Sequence, residues 1–158
     1  MTELTHFDED GDSRMVDVGP KPTTERFARA SALVRMAPET QQLIRSGQFS
    51  KGNVLEVARL AGIMAAKRTS ELIPLCHLLP LDAVEVSFGF PDGASVSIES
   101  QVRVNAKTGV EMEAFVAVTI CALTIYDMCK SVDRAMTIEQ TRLEEKSGGK
   151  SGHFVRED

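Results

Sequence analysis

The chain has 158 residues, with 18 Lys and Arg against 23 Asp and Glu and a net charge of −5. That length fits one domain with a real core, and the acidic balance argues against a general nucleic-acid binder. The absence of Trp and the single Tyr leave few stacking platforms for single strands.

In chain order, Met1 to Pro22 is polar and punctuated by Gly and Pro, which predicts an extended arm. Its opening, MTELTHFDEDGDSR, is acidic and holds no apolar signal core, so a cytoplasmic location is expected. Cys76, Cys121 and Cys129 form no CxxC and leave an odd count, which fits a reducing compartment. Within the arm, Met15 to Val18 (MVDV) could lie against a partner surface.

Arg26 to Met36 alternates apolar and polar positions with a period of two, which predicts a strand despite its alanines. Pro38 to Ser46 reads as a short helix, with Pro38 in its first turn and Gly47 as its stop. Asn53 to Leu72 reads as one helix capped by Asn53, with Val54, Val57, Ala58, Ala61, Met64 and Ala65 on one stripe. Pro74 ends it, and the segment PLCHLLP then forms a tight turn presenting Cys76 and His77. Leu81 to Phe90 and Ala94 to Asn105 alternate cleanly around a Pro91-Asp92-Gly93 turn, the pattern of an antiparallel hairpin.

A long helix is expected from Thr108 to Cys129. Its middle, Ala114 to Tyr126, carries no charge, so it belongs in an interior. These residues are too few to cross a bilayer, which needs roughly 20. Reactive groups sit at both ends: Lys107, Glu111 and Glu113 at one, Asp127 and Lys130 at the other. At about 1.5 Å per residue, Glu113 and Asp127 lie roughly 21 Å apart along the axis. They therefore serve different sites, or one site gathers opposite helix ends from two chains. Ala135 to Leu143 is a last strand, and Lys146 to Gly152 (KSGGKSG) opens a Gly-rich tail. The element order predicts an α+β, ferredoxin-like fold, a mostly antiparallel sheet with helices packed on one face. The expected organisation is an arm over 1–22, a single catalytic domain over 23–145 and a flexible tail over 146–158.

The candidate chemistry is acid, base and cation. Lys146 and Lys150 in the Gly-rich segment could wrap an anion with backbone N–H groups, although the Walker spacing is absent. Lys51 precedes a helix N-terminus, itself an anion site. Lys67 and Arg68 come late in that helix, where cations also suit the dipole. Cys76 and His77 are adjacent, but no CxxC or HxxxH supports a metal site, and His77 is better suited to acid/base or hydrogen-bonding work. Glu111 and Glu113 could bind or deprotonate a polar ring, or simply offset the helix dipole. Together these groups suit multi-step proton transfer on an anionic substrate.

Four blocks carry a resemblance over nearly the whole chain: SKGNVLEVARLAGIMAAKRTSELIPLCH, KTGVEMEA, LTIYDMCK and KSGGKSG. They resemble the molybdenum cofactor biosynthesis protein C family, the cyclic pyranopterin monophosphate synthases. The resemblance implies a ferredoxin-like subunit of a homohexamer, a trimer of dimers, with its site at a subunit interface. It implies conversion of 3′,8-cyclo-7,8-dihydro-GTP, made by a separate radical-SAM GTP cyclase, to cyclic pyranopterin monophosphate with release of pyrophosphate. It implies no metal, no organic cofactor, no nucleic acid and no membrane. By position, Asp127, Lys130 and Lys51 match the family's catalytic aspartate and lysines. Leu75, Cys76 and His77 match its substrate-binding turn, and Met112 and Glu113, with Glu111 beside them, its second substrate-binding pair. Arg26, Lys67, Arg68, Lys146 and Lys150 fall where cations for the triphosphate are expected. The chain departs from the family at Leu78, where a proline usually follows the histidine. On the residues alone, a non-catalytic nucleotide-binding regulator and a purely structural oligomer stay open beside the enzyme.

Overall fold

The computed structural model describes residues 6–47 and 52–157. Its elements are β1 (Thr24–Arg35), α1 (Pro38–Ser46), α2 (Val54–Ala66), α3 (Thr69–Leu72), β2 (Ala83–Gly89), β3 (Ser95–Ala106), α4 (Glu111–Cys129), β4 (Thr137–Ser147) and β5 (Phe154–Val155). They form an α+β fold in which one five-stranded sheet, ordered β2-β3-β1-β4-β5, is antiparallel throughout. The first four strands and their helices follow the ferredoxin-like βαββαβ order, with β5 added at one edge.

The core lies between the sheet and α4. Ala28, Ala30, Ala32 and Val34 occupy one face of β1 and are essentially fully buried. Their small side chains let α4 approach the sheet, and Ala114, Ala117, Val118, Cys121, Ala122 and Ile125 fill that contact. Among the described residues α4 is the one helix long and apolar enough to span a membrane, yet Ala114, Ala117, Val118, Cys121, Ala122 and Ile125 are buried in the core of the fold. Its opposite side is less covered than the uncharged sequence suggests. Met112 and Leu123 are exposed there, as are Val57, Leu60 and Met64 of α2 and Leu72 of α3.

Helix α2 packs on α4 through Gly62. A Cβ at Gly62 would lie 2.9 Å from the Ala117 carbonyl oxygen and closer still to Cys121 Sγ. Cys121 cannot swing aside freely, because its thiol donates to Ala58 O at 3.1 Å. Gly62→Ala is therefore expected to destabilise by about 1–2 kcal/mol, overpacking outweighing the gain in helix propensity. An unchanged urea midpoint would show that the two helices separate freely.

Three boundaries differ from the sequence reading. The expected single helix over 53–72 breaks at Lys67 and Arg68, where Thr69 Oγ1 donates to Ala66 O at 2.9 Å and the chain restarts as α3. A Thr hydroxyl that takes a helical carbonyl competes with the backbone ladder. Strand β4 runs on to Ser147 instead of stopping near Leu143. Register shifts opposite Arg29/Ala30 and Ser31/Leu33 break its alternation and hide its length from pattern reading. The tail contributes β5, pairing Phe154 with Lys146 and Val155 with Glu145. The Asn53 cap is as expected, its side chain accepting from Leu55 N and Glu56 N at 3.1 and 3.2 Å.

Candidate active site

The turn after α3 and the first turn of α4 face each other across a cavity of about 420 Å³. Leu75, Cys76 and His77 form one wall, and Glu111, Met112 and Glu113 another. The helix start is held from the sheet, where Ser100 Oγ of β3 donates to Ala114 O at 2.8 Å. Glu113 is only 4% exposed. Burial pushes its carboxyl up to about 7, and the neighbouring charge of Glu111 adds to the rise. Burial likewise raises the Cys76 thiol, with the charge of Glu113 acting in the same direction. Cys76 is thus a wall of the cavity and a poor thiolate nucleophile.

The N-terminal arm supplies the remaining wall through His6, Val16, Val18 and Lys21. His77 Nε2 donates to Val16 O at 2.9 Å, and Lys107 Nζ donates to Gly19 O at 2.7 Å. The MVDV segment, which could have met a partner, lies against its own chain's cavity.

A second cavity of about 530 Å³ adjoins the first and shares Lys21, Thr108, Gly109 and Glu111 with it. Its character is cationic: Arg26, Lys107 and Lys150 line it together with Lys21. Arg26 is steadied by two carbonyls, Ala106 O at 3.4 Å and Lys107 O at 3.3 Å. The Gly-rich segment closes over this guanidinium. Gly148 and Gly149 have φ of 96° and 72°, and a side chain on Gly149 would occupy the place of Arg26. Lys146 pairs with Glu111 at 3.5 Å and also bonds Ser151 Oγ.

Asp127 and Lys130 lie at the far end of α4. They form an exposed ion pair of 2.6 Å, and the bond to Asp127 raises the Lys130 ammonium pKa. The turn beyond them is tied down by Asp133. Its carboxylate accepts from Ala37 N at 2.8 Å, Thr40 Oγ1 at 3.2 Å and Ala135 N at 3.0 Å, which holds it below the ordinary carboxylate range. Ala37 caps α1 without a side-chain acceptor of its own, and Asp133, by taking the Ala37 N–H and the Thr40 hydroxyl, sets a negative charge at the start of that helix.

The structure thus gathers Leu75, Cys76, His77, Glu111, Met112 and Glu113 in one cavity and Arg26 and Lys150 in the next, with Lys146 on Glu111 beside them. Asp127 and Lys130 stay apart from both, at the other end of the 19-residue α4. Lys67 and Arg68 are exposed at the junction of α2 and α3 and line neither cavity. Lys51 lies outside the described residues. Among the described residues no cluster of three His, Cys, Asp or Glu side chains could hold a metal ion. Sequence reasoning passed over Lys21, Thr24 and Asp133, and named Lys107 only as a charge before the long helix. Lys21 and Lys107 each stand beside a Pro or Gly turn, a signal that could have nominated them, whereas Asp133 is identifiable only once α1 is placed beside it.

The model of the MoaC family matches residues 15–149. A cyclic pyranopterin monophosphate synthase of Heliobacterium modesticaldum is 57% identical over 159 aligned positions, covering 100% of both chains. The Desulfitobacterium hafniense protein of the same name is 56% identical over 156 residues, covering 99% of this chain and 96% of its own. The Mycobacterium tuberculosis protein named cyclic pyranopterin monophosphate synthase 3 is 60% identical over 156 residues, covering 98% of this chain and 88% of its own.

Proposed function

The chain belongs to the MoaC family, and we propose that it acts as a cyclic pyranopterin monophosphate synthase, a lyase of molybdenum cofactor biosynthesis. The reaction is conversion of 3′,8-cyclo-7,8-dihydro-GTP to cyclic pyranopterin monophosphate with release of pyrophosphate. The observation that carries this substrate is the pair of adjoining cavities, one lined by His77 and Glu113 and one by Arg26, Lys107 and Lys150. A polar ring joined to a triphosphate needs hydrogen-bonding groups at one end and several cations at the other, in contact with each other.

In this reading His77, Glu113, Leu75, Cys76 and Met112 hold the purine-derived ring, with Glu111 at the junction of ring and phosphates. Arg26, Lys146 and Lys150 take the triphosphate. Asp127, Lys130 and Lys51 move protons while the ring is hydrolysed and rebuilt as a pterin. A ribose-derived hydroxyl then attacks the α-phosphate, its oxygen–phosphorus bond forms, and the bond to the β-phosphate breaks to release pyrophosphate. Lys67 and Arg68, outside both cavities, contribute to the site of a neighbouring subunit.

The distance of roughly 21 Å between Glu113 and Asp127 supports a site completed by another copy. The uncovered apolar residues of α2, α3 and α4 supply a surface for that copy, including Leu60 at 60% exposure and Leu123 at 49%. We place the chain in a cytoplasmic homohexamer, a trimer of dimers, that receives its substrate from a radical-SAM GTP cyclase. The test is an anaerobic assay in which the purified protein is given the cyclised GTP intermediate. Stoichiometric pyrophosphate and pterin product are expected. Tight binding without product from a folded oligomer would instead indicate a nucleotide-binding regulator.

A further inference from the structure

We propose that Thr24 is a phosphate-binding residue, its hydroxyl donating to a phosphate oxygen of the substrate in the cation-lined cavity. The proposal rests on the reading of that cavity as the triphosphate subsite and adds to it a neutral donor.

Thr24 opens β1 and lines the cavity beside Arg26. The two residues are two apart in a strand, so they project to the same side of the sheet. Thr24 is paired across the sheet with Ala106, whose carbonyl also holds Arg26 Nε. A phosphate oxygen drawn to the guanidinium therefore comes within reach of the threonine. The other wall carries Lys150 and Ser151, and Ser151 Oγ is already engaged with Lys146.

The hydroxyl itself is the informative atom. Among the described residues, Thr24 Oγ1 is the single buried side-chain oxygen or nitrogen with no hydrogen-bond partner. A buried hydroxyl without a partner costs free energy that a valine of the same shape would avoid. Packing thus gives no reason for the oxygen, and a ligand does. With no bond to break, rotation about χ1 brings Oγ1 to the cavity when an anion enters. Hydrogen bonds to charged groups are the stronger class, and phosphate supplies such an acceptor where the cations have already drawn it.

The test compares Thr24→Val, Thr24→Ser and Arg26→Ala in the full chain, using pyrophosphate as the titrated ligand in calorimetry and thermal melting of the free protein. Thr24→Val is expected to weaken pyrophosphate binding by about tenfold or more and to raise KM for the cyclised intermediate in proportion. Its melting temperature should equal or exceed the wild type, since the unpaired hydroxyl is gone. Thr24→Ser should restore the affinity. Wild-type pyrophosphate affinity in Thr24→Val, combined with weakened binding in Arg26→Ala, would overturn the role of Thr24 alone. A lower melting temperature in Thr24→Val with unchanged affinity would also overturn it, making the hydroxyl structural. Undiminished binding in Arg26→Ala would remove the triphosphate subsite from this cavity, and the Thr24 proposal with it.

Discussion

Asp127→Asn is expected to lower kcat by about 10²- to 10⁴-fold, the range contributed by a positioned proton-transfer group, while KM and oligomeric state stay close to wild type. The asparagine keeps the size of the side chain and can still accept a hydrogen bond from Lys130, but it can neither take up a proton nor hold a counter-charge. The ion pair is exposed, and such pairs contribute little to stability. A small change in melting temperature should therefore accompany a large change in rate. Lys130→Ala should fall in the same range. Near-normal kcat in Asp127→Asn, measured by pyrophosphate release, would take Asp127 out of the catalytic set. Mixing experiments add a second readout. If α4 ends from two chains build one site, an Asp127→Asn chain and a Glu113→Gln chain assayed at substrate well below KM should regain activity above either alone when reassembled together. Failure to recover, with mixed oligomers demonstrated, would show that no site takes Glu113 from one chain and Asp127 from another.

Glu113→Gln is expected to stabilise the protein at pH 8 and leave stability unchanged near pH 4.5. In the folded chain this carboxyl is raised from 4.5 to about 7, chiefly by burial. Between those values the folded state holds a proton that the unfolded chain has released. The contribution of Glu113 to wild-type stability is thus most favourable below pH 4.5, falls as pH rises toward 7, and is level above that. At about 1.4 kcal/mol per pKa unit, the penalty removed by the neutral amide is roughly 3 kcal/mol at most. Urea melts of both proteins at pH 5 and pH 8 read it directly, and an equal difference at the two pH values would show that Glu113 carries no buried charge. The same substitution should weaken substrate binding by about tenfold, the loss expected when an acceptor matched to a polar ligand is replaced. Gain of stability with loss of function is the usual signature of a strained binding group.

The sequence by itself determined a good deal. Period-two alternation in Arg26–Met36, Leu81–Phe90 and Ala94–Asn105 placed the first three strands, because burial of one sheet face writes that pattern directly. Asn53, Pro38 and Gly47 marked helix ends through local backbone chemistry. The uncharged run in α4 marked the core helix, and the charged residues flanking it nominated candidate groups at both of its ends. The family blocks then supplied the reaction, which no single motif could have done.

Other features depended on tertiary contact. The length of β4 was hidden by bulges that shift its register against β1. The break between α2 and α3 came from Thr69 taking a helical carbonyl. The arm reads as a loose tail because its composition is polar, yet two hydrogen bonds to its backbone, from His77 and Lys107, set it as a wall of the cavity lined by His77 and Glu113. The raised carboxyl of Glu113 depends on burial against residues distant in sequence. The orphaned hydroxyl of Thr24 depends on what is missing around it. Local sequence encodes which face of an element is apolar and where it starts and stops. It does not encode which polar atoms meet when elements from opposite ends of the chain come together, and the candidate site is built from those meetings.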